Sequence, residues 1–167
     1  SEPVLMSSIS IREQPISTQP AYRASLAKRN VDPSPLRLHD LPMQHSEGFL
    51  AIVKAARTGV SEIDLNHAAE RLANNPDAIL MDVREDCEWT NSHATGAIHL
   101  GKGILERDIE SAVPEKDTEV IMYCGGGYRS VLTAEVAQRM GYTNVHSLIG
   151  GYKALVASNW QLETGDS

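Results

Sequence analysis

The apolar run Val120-Ile121-Met122-Tyr123 leads directly into Cys124-Gly125-Gly126-Gly127-Tyr128-Arg129, and then into Ser130-Val131-Leu132-Thr133-Ala134-Glu135-Val136-Ala137. A short uninterrupted apolar run reads as a strand buried on both faces, the mark of a parallel sheet covered by helices. The residues after Arg129 read as a helix. A thiol therefore sits at the carboxyl end of a strand, in a glycine-rich loop that faces a helix amino terminus. Amides there lack intrahelical partners and gather around negative charge. The same field stabilises a thiolate, so the Cys124 pKa is expected to fall from about 8.5 towards the roughly 3.5–7.5 range of reactive cysteines.

Glycines let the backbone take positive φ and turn its amides to one centre. They are also expected to leave an open bowl above the sulfur. The plainer alternative is a strand-to-helix turn around an inert core cysteine, a common fate of free thiols. Arg129 argues against it, because a core turn has no use for a permanent cation. Gly125, Gly126, Gly127, Tyr128 and Arg129 thus read as a cradle for an anionic sulfur, that of Cys124, or for a bound oxyanion.

The 167 residues allow one ordinary domain plus extra length. Cys87 and Cys124, the two cysteines, lie 37 positions apart and match neither a metal cluster nor a secreted disulfide framework. A reducing, cytoplasmic setting is expected, with no secretory signal at the start and no run long enough to span a bilayer. Residues 1–46 hold five Lys/Arg and four Asp/Glu, whereas residues 47–167 hold ten and eighteen. An acidic folded part argues against a nucleic-acid surface.

Residues 1–45 read as an irregular arm, interrupted by Pro3, Pro15, Pro20, Pro33, Pro35 and Pro42. Met6 is a candidate native start, and Ser25 to Arg29 a candidate helical turn. An accessory helix is expected within 46–59, with Phe49, Leu50, Ile52, Val53 and Ala56 on its apolar face and Gly59 as its stop. Strands are expected at Val60–Ile63, Ala78–Val83, Ala97–Leu100, Glu119–Tyr123 and Asn144–Leu148. Helices are expected at Leu65–Ala73, Glu85–Asn91 and Gly103–Ala112, after Arg129 as far as Met140, and at Tyr152–Asn159. Such alternation predicts an α/β fold, a parallel sheet with helices on both faces, whose site lies beyond the carboxyl ends of the strands.

Leu80-Met81-Asp82-Val83-Arg84 with Glu88-Trp89, His93-Ala94-Thr95-Gly96-Ala97-Ile98-His99-Leu100, Tyr123-Cys124 through Arg129-Ser130, and Gly150-Gly151-Tyr152 resemble, in order and spacing, the signatures of a rhodanese (sulfurtransferase) domain. The resemblance spans about residues 60–162, leaving 163–167 as a tail, and Gly101 to Glu110 look like a bacterial single-domain subgroup. It implies a five-stranded parallel sheet flanked by helices, with an N-terminal extension. It also implies that Cys124 takes a sulfane sulfur from an anionic, thiosulfate-like donor as a persulfide. Cyanide, a thiol or a sulfur-carrier protein then accepts it. The loop amides and Arg129 would hold the donor's anionic group, with Asp82, Arg84 and Ser130 in support. Ser92 stands where the family usually has Gly, and Thr95 where Pro is common, which touches the local turn rather than the chemistry. The loop lacks the extra basic side chain of thiosulfate-specialised members, so thiosulfate is expected to be serviceable rather than preferred.

A preformed thiolate needs no general base, and sulfane transfer needs no metal or organic cofactor. Two other readings stay open. Cysteine phosphatases on this fold resemble C-x5-R, whereas this loop is C-x4-R, a smaller ring better suited to one sulfur than to a phosphate. A rhodanese-like binding module without catalysis is the other, since fold alone never proves activity. Cys87 stands among Glu85, Asp86 and Glu88, whose charges oppose a thiolate, so it reads as a bystander. His93 and His99 read as backbone-bonded rather than metal-binding, Trp89 and Trp160 as core or rim aromatics, and Glu85-Asp86 as a solvated helix start.

Overall fold

The computed structural model describes residues 44–165. The arm, the candidate start at Met6 and the helical turn at Ser25 to Arg29 lie outside them. In chain order the elements are α1 (Glu47–Ala56), β1 (Ser61–Ile63), α2 (Leu65–Asn74), β2 (Ile79–Asp82), α3 (Asp86–Asn91), β3 (His93–Ala94) and β4 (Ile98–His99). A 3-10 turn (Lys102–Ile104) then opens α4 (Leu105–Ala112), followed by β5 (Val120–Tyr123), α5 (Tyr128–Arg139), β6 (Val145–Leu148), α6 (Gly151–Ala157) and β7 (Leu162–Glu163).

Five strands form a sheet in the order β1-β6-β5-β2-β4, with every pairing parallel. The middle strands are the apolar ones. All four residues of β5 are buried, as are Leu80, Met81 and Asp82 of β2. Successive side chains of a strand leave by opposite faces, and this splits the core in two. Met81, Val120 and Met122 pack with Val53, Ile109 and Val131, whereas Leu80, Ile121 and Tyr123 pack with Ile63, Ala68 and Leu155. Cys124 belongs to the first of these clusters.

Capping explains where the first two helices begin. The Ser46 hydroxyl accepts from the Phe49 amide at 3.3 Å, and the Asp64 carboxylate from the His67 amide at 2.9 Å. The expected face of α1 needs correction. Val53 and Ala56 are buried, but Leu50 and Ile52 are 41% and 54% exposed. The helix docks along its Phe49–Val53–Ala56 line, a narrower stripe than the apolar content implies. The helix expected at Gly103 starts with the 3-10 turn, and the strand expected at Ala97–Leu100 narrows to Ile98–His99. The antiparallel ribbon of β3 with β7 is an addition, pairing His93 with Glu163 and Ala94 with Leu162. Two-residue strands carry no readable period.

Candidate active site

The carboxyl ends of β2, β5 and β6 meet the amino termini of α5 and α6. Two glycines at this junction make the packing feasible. Gly151 has φ +52°, and a Cβ there would lie 2.1 Å from the Cys124 carbonyl oxygen and 3.0 Å from the Gly127 nitrogen. Gly127 has φ +86°, and a Cβ there would lie 3.1 Å from both the Gly150 nitrogen and the Leu148 oxygen. This contact lets the first amides of α6 take the loop's carbonyls. Tyr152 N–H donates to the Cys124 oxygen at 2.6 Å and Lys153 N–H to the Gly125 oxygen at 3.2 Å. Of the three loop glycines only Gly127 needs positive φ. Gly125 instead makes room for the Arg129 guanidinium, whose Nη2 would lie 3.2 Å from a Cβ there.

Two donors reach the sulfur. Gly127 N–H points at Cys124 Sγ at 3.2 Å, and the Ser130 hydroxyl at 3.6 Å. Ser130 is itself 2.8 Å from the Ser147 hydroxyl on β6, so a hydroxyl pair runs from the sheet to the thiol. Both serines are fully buried. Donors fixed in a dry site stabilise sulfur-centred negative charge more than mobile water does. The expected open bowl needs correction: Cys124 is only 1% exposed.

Arg129 is not a free cation. Its Nη1 donates to Glu88 Oε2 at 2.6 Å and its Nη2 to Glu88 Oε1 at 2.9 Å, while Glu85 Oε1 lies 3.6 Å away. Burial opposes ionisation of Glu88, but the Arg129 hydrogen bond and charge outweigh it and hold the carboxyl below its ordinary range. The Glu88 hydrogen bond and charge outweigh the opposing effect of burial and raise the Arg129 pKa further. Sequence reasoning places Glu88 in a signature and among the charges that oppose a Cys87 thiolate, and misses this contact. Its available signal is its place in the acidic first turn of α3, beside the Glu85-Asp86 pair that reads as solvated.

Tyr128 forms the adjoining wall. Its ring lies 4.5 Å from that of His45 and 6.2 Å from that of Phe49, with the Arg57 guanidinium 5.3 Å away. The accessory helix thus reaches the residue beside the loop. Asp82 and Arg84, expected in support, are paired with each other. Arg84 grips Asp82 through Nε at 3.0 Å and Nη2 at 2.6 Å, donates to the Ser92 carbonyl at 2.7 Å, and lies 4.0 Å over the Tyr152 ring. Asp82 also accepts from the Arg84 amide at 2.9 Å, which braces the turn after β2. His93 Nδ1 is 3.0 Å from the Trp89 carbonyl and His99 Nε2 is 3.0 Å from the Arg84 carbonyl. Trp89 stacks on both imidazoles. Cys87 is exposed on α3.

A rhodanese-like domain model matches residues 65–158. Among curated proteins, thiosulfate sulfurtransferase GlpE of Coxiella burnetii is 32% identical over 85 residues, covering 51% of this chain and 78% of that enzyme. Thiosulfate sulfurtransferase PspE of Escherichia coli is 36% identical over 73 residues, covering 44% of this chain and 69% of its own. Among solved structures, a Rhodopseudomonas palustris protein of unknown function, described as a possible tyrosine phosphatase, superposes with a TM-score of 0.64 at 25% identity. That match covers 74% of this chain and 99% of the other. Among the described residues, no helix is long and apolar enough to cross a membrane.

Proposed function

Since the chain belongs to the rhodanese-like domain family and is a sulfurtransferase of the rhodanese type, we propose that it moves a sulfane sulfur through a persulfide on Cys124. The observation that carries this reading is the pair of donors on one sulfur, Gly127 N–H at 3.2 Å and the Ser130 hydroxyl at 3.6 Å. A buried sulfur anion is costly without such partners.

The Cys124 thiolate attacks the outer sulfur of a donor such as thiosulfate. The donor's S–S bond breaks, its electron pair leaves on sulfite, and Cys124 retains the transferred sulfur as a persulfide. Cyanide or a thiol, free or on a sulfur-carrier protein, then attacks that outer sulfur and returns the Cys124 thiolate. Gly125, Gly126 and Gly127 line the loop, Tyr128 walls it, and Arg129 shares its charge between Glu88 and the donor. Asp82 and Arg84 hold the turn behind it. A reducing compartment, the cytoplasm, suits a free catalytic thiolate.

Phosphatase chemistry is the second reading, supported by the R. palustris protein's description. The C-x4-R spacing from Cys124 to Arg129 favours sulfur, since the ring is one residue tighter than C-x5-R. Incubation with thiosulfate and then with an aryl phosphate decides between them. Persulfide formation without phosphate release supports the transferase, and phosphate release without persulfide overturns it.

A further inference from the structure

We propose that Glu88 sets the donor preference of the bowl, disfavouring dianionic donors such as thiosulfate relative to small alkyl persulfides. This inference rests on the sulfurtransferase reading above and names the substrate class of that site. The guanidinium that would meet an incoming anion is already held by both oxygens of one carboxylate, at 2.6 and 2.9 Å, with a second carboxylate at 3.6 Å. The pair lies at the bowl itself, since a Cβ on Gly125 would be 3.2 Å from Arg129 Nη2 and 3.8 Å from Glu88 Oε1. Their side chains are 28% and 32% exposed, so water screens them only in part.

An arriving donor therefore meets a neutralised pair and a neighbouring thiolate. Thiosulfate adds two negative charges to that setting, whereas an alkyl persulfide adds at most one. The chemistry is the same for both. The Cys124 thiolate attacks the outer sulfur of R–S–SH, the donor's S–S bond breaks, and its electron pair leaves on the alkyl thiolate R–S⁻. Cys124 then holds the persulfide, and no outside oxidant or reductant enters.

The test compares thiosulfate with 2-hydroxyethyl persulfide as donors, reading kcat/KM for each with cyanide as acceptor. In Glu88→Gln the thiosulfate-to-persulfide ratio should rise roughly fivefold, as expected for removing one partly screened charge beside a dianion. Glu88→Asp, which keeps the charge, should leave the ratio within about twofold. A purely structural role for Glu88 would lower both donors together and leave the ratio unmoved, which overturns the proposal. Should thermal melting show that Glu88→Gln does not fold, Glu85→Gln replaces it. The ratio must then rise in the same direction by a smaller factor, and a fixed ratio overturns the proposal again. A wild-type protein that forms no Cys124 persulfide with either donor overturns the sulfurtransferase reading itself, and this inference with it.

Discussion

Gly151 and Cys124 approach so closely that a Cβ on the glycine would lie 2.1 Å from the cysteine's carbonyl oxygen. The Cys124 backbone is seated against the start of α6, and only a residue without a side chain allows it. The Cys124 loop and the last helix are thus one unit, although 26 positions separate Gly125 from Gly151.

Gly151→Ala is therefore expected to destabilise the protein by about 3 kcal/mol or more, from the clash and from the positive φ together. Gly126→Ala is the contrast. A Cβ there meets nothing closer than the Tyr128 ring at 3.8 Å. Its cost should stay below about 1 kcal/mol. Urea unfolding of the two variants measures the difference directly.

Ser130→Ala removes one of the two donors aimed at Sγ and leaves the Ser147 hydroxyl without its 2.8 Å partner. Sulfur uptake from thiosulfate should slow by roughly ten- to a hundredfold, given the size of the effect when one donor to a developing anion is lost. The stability loss should be about 1–2 kcal/mol. Rapid-quench mass spectrometry reads the first and thermal melting the second.

The opposite end of the sheet should govern the response to acid. Burial disfavours the charged form of His146, and Arg71 adds to this, so its folded pKa lies below 6.5. Stability is then fully present above 6.5 and falls as pH drops towards the folded value. Burial opposes ionisation of Glu119 too, but the Arg71 hydrogen bond at 2.6 Å and the Asn75 hydrogen bond at 3.0 Å outweigh it. Its folded pKa lies below 4.5, so its contribution is present above 4.5 and is lost as pH falls through the folded value. Unfolding curves between pH 7.5 and 3 should show two windows of loss, on the scale of about those two reference pKa values. His146→Gln should flatten the upper window and Glu119→Gln the lower.

Phe49 lies outside the residues matched by the family model, yet its ring is 6.2 Å from that of Tyr128 and it packs on the core. Phe49→Ala should cost about 1–3 kcal/mol, less than full core truncation because the side chain is only partly buried. It should also slow sulfur uptake several-fold, because Tyr128 loses its brace. A stability loss with unchanged uptake would make α1 a scaffold only.

The fold was legible because its strands are apolar runs punctuated by turns. Leu80-Met81 and Val120 to Tyr123 have no polar face, which only a doubly covered sheet explains. The loop was legible from Cys124, its glycines and Arg129. What escaped the sequence was tertiary partnership. Nothing local in Glu88 says that it will reach 41 positions along the chain to Arg129. Nor does the row of apolar residues in α1 reveal that Leu50 and Ile52 face outward. The β3–β7 ribbon escaped because its strands are two residues long.

The central claim is that Cys124 carries the sulfur in transit. Intact-mass measurement after incubation with thiosulfate tests it most directly. The wild-type protein and Cys87→Ser should each gain one sulfur atom, lost again when cyanide is converted to thiocyanate, and Cys124→Ser should gain none. An adduct that persists in Cys124→Ser and disappears in Cys87→Ser would contradict the claim.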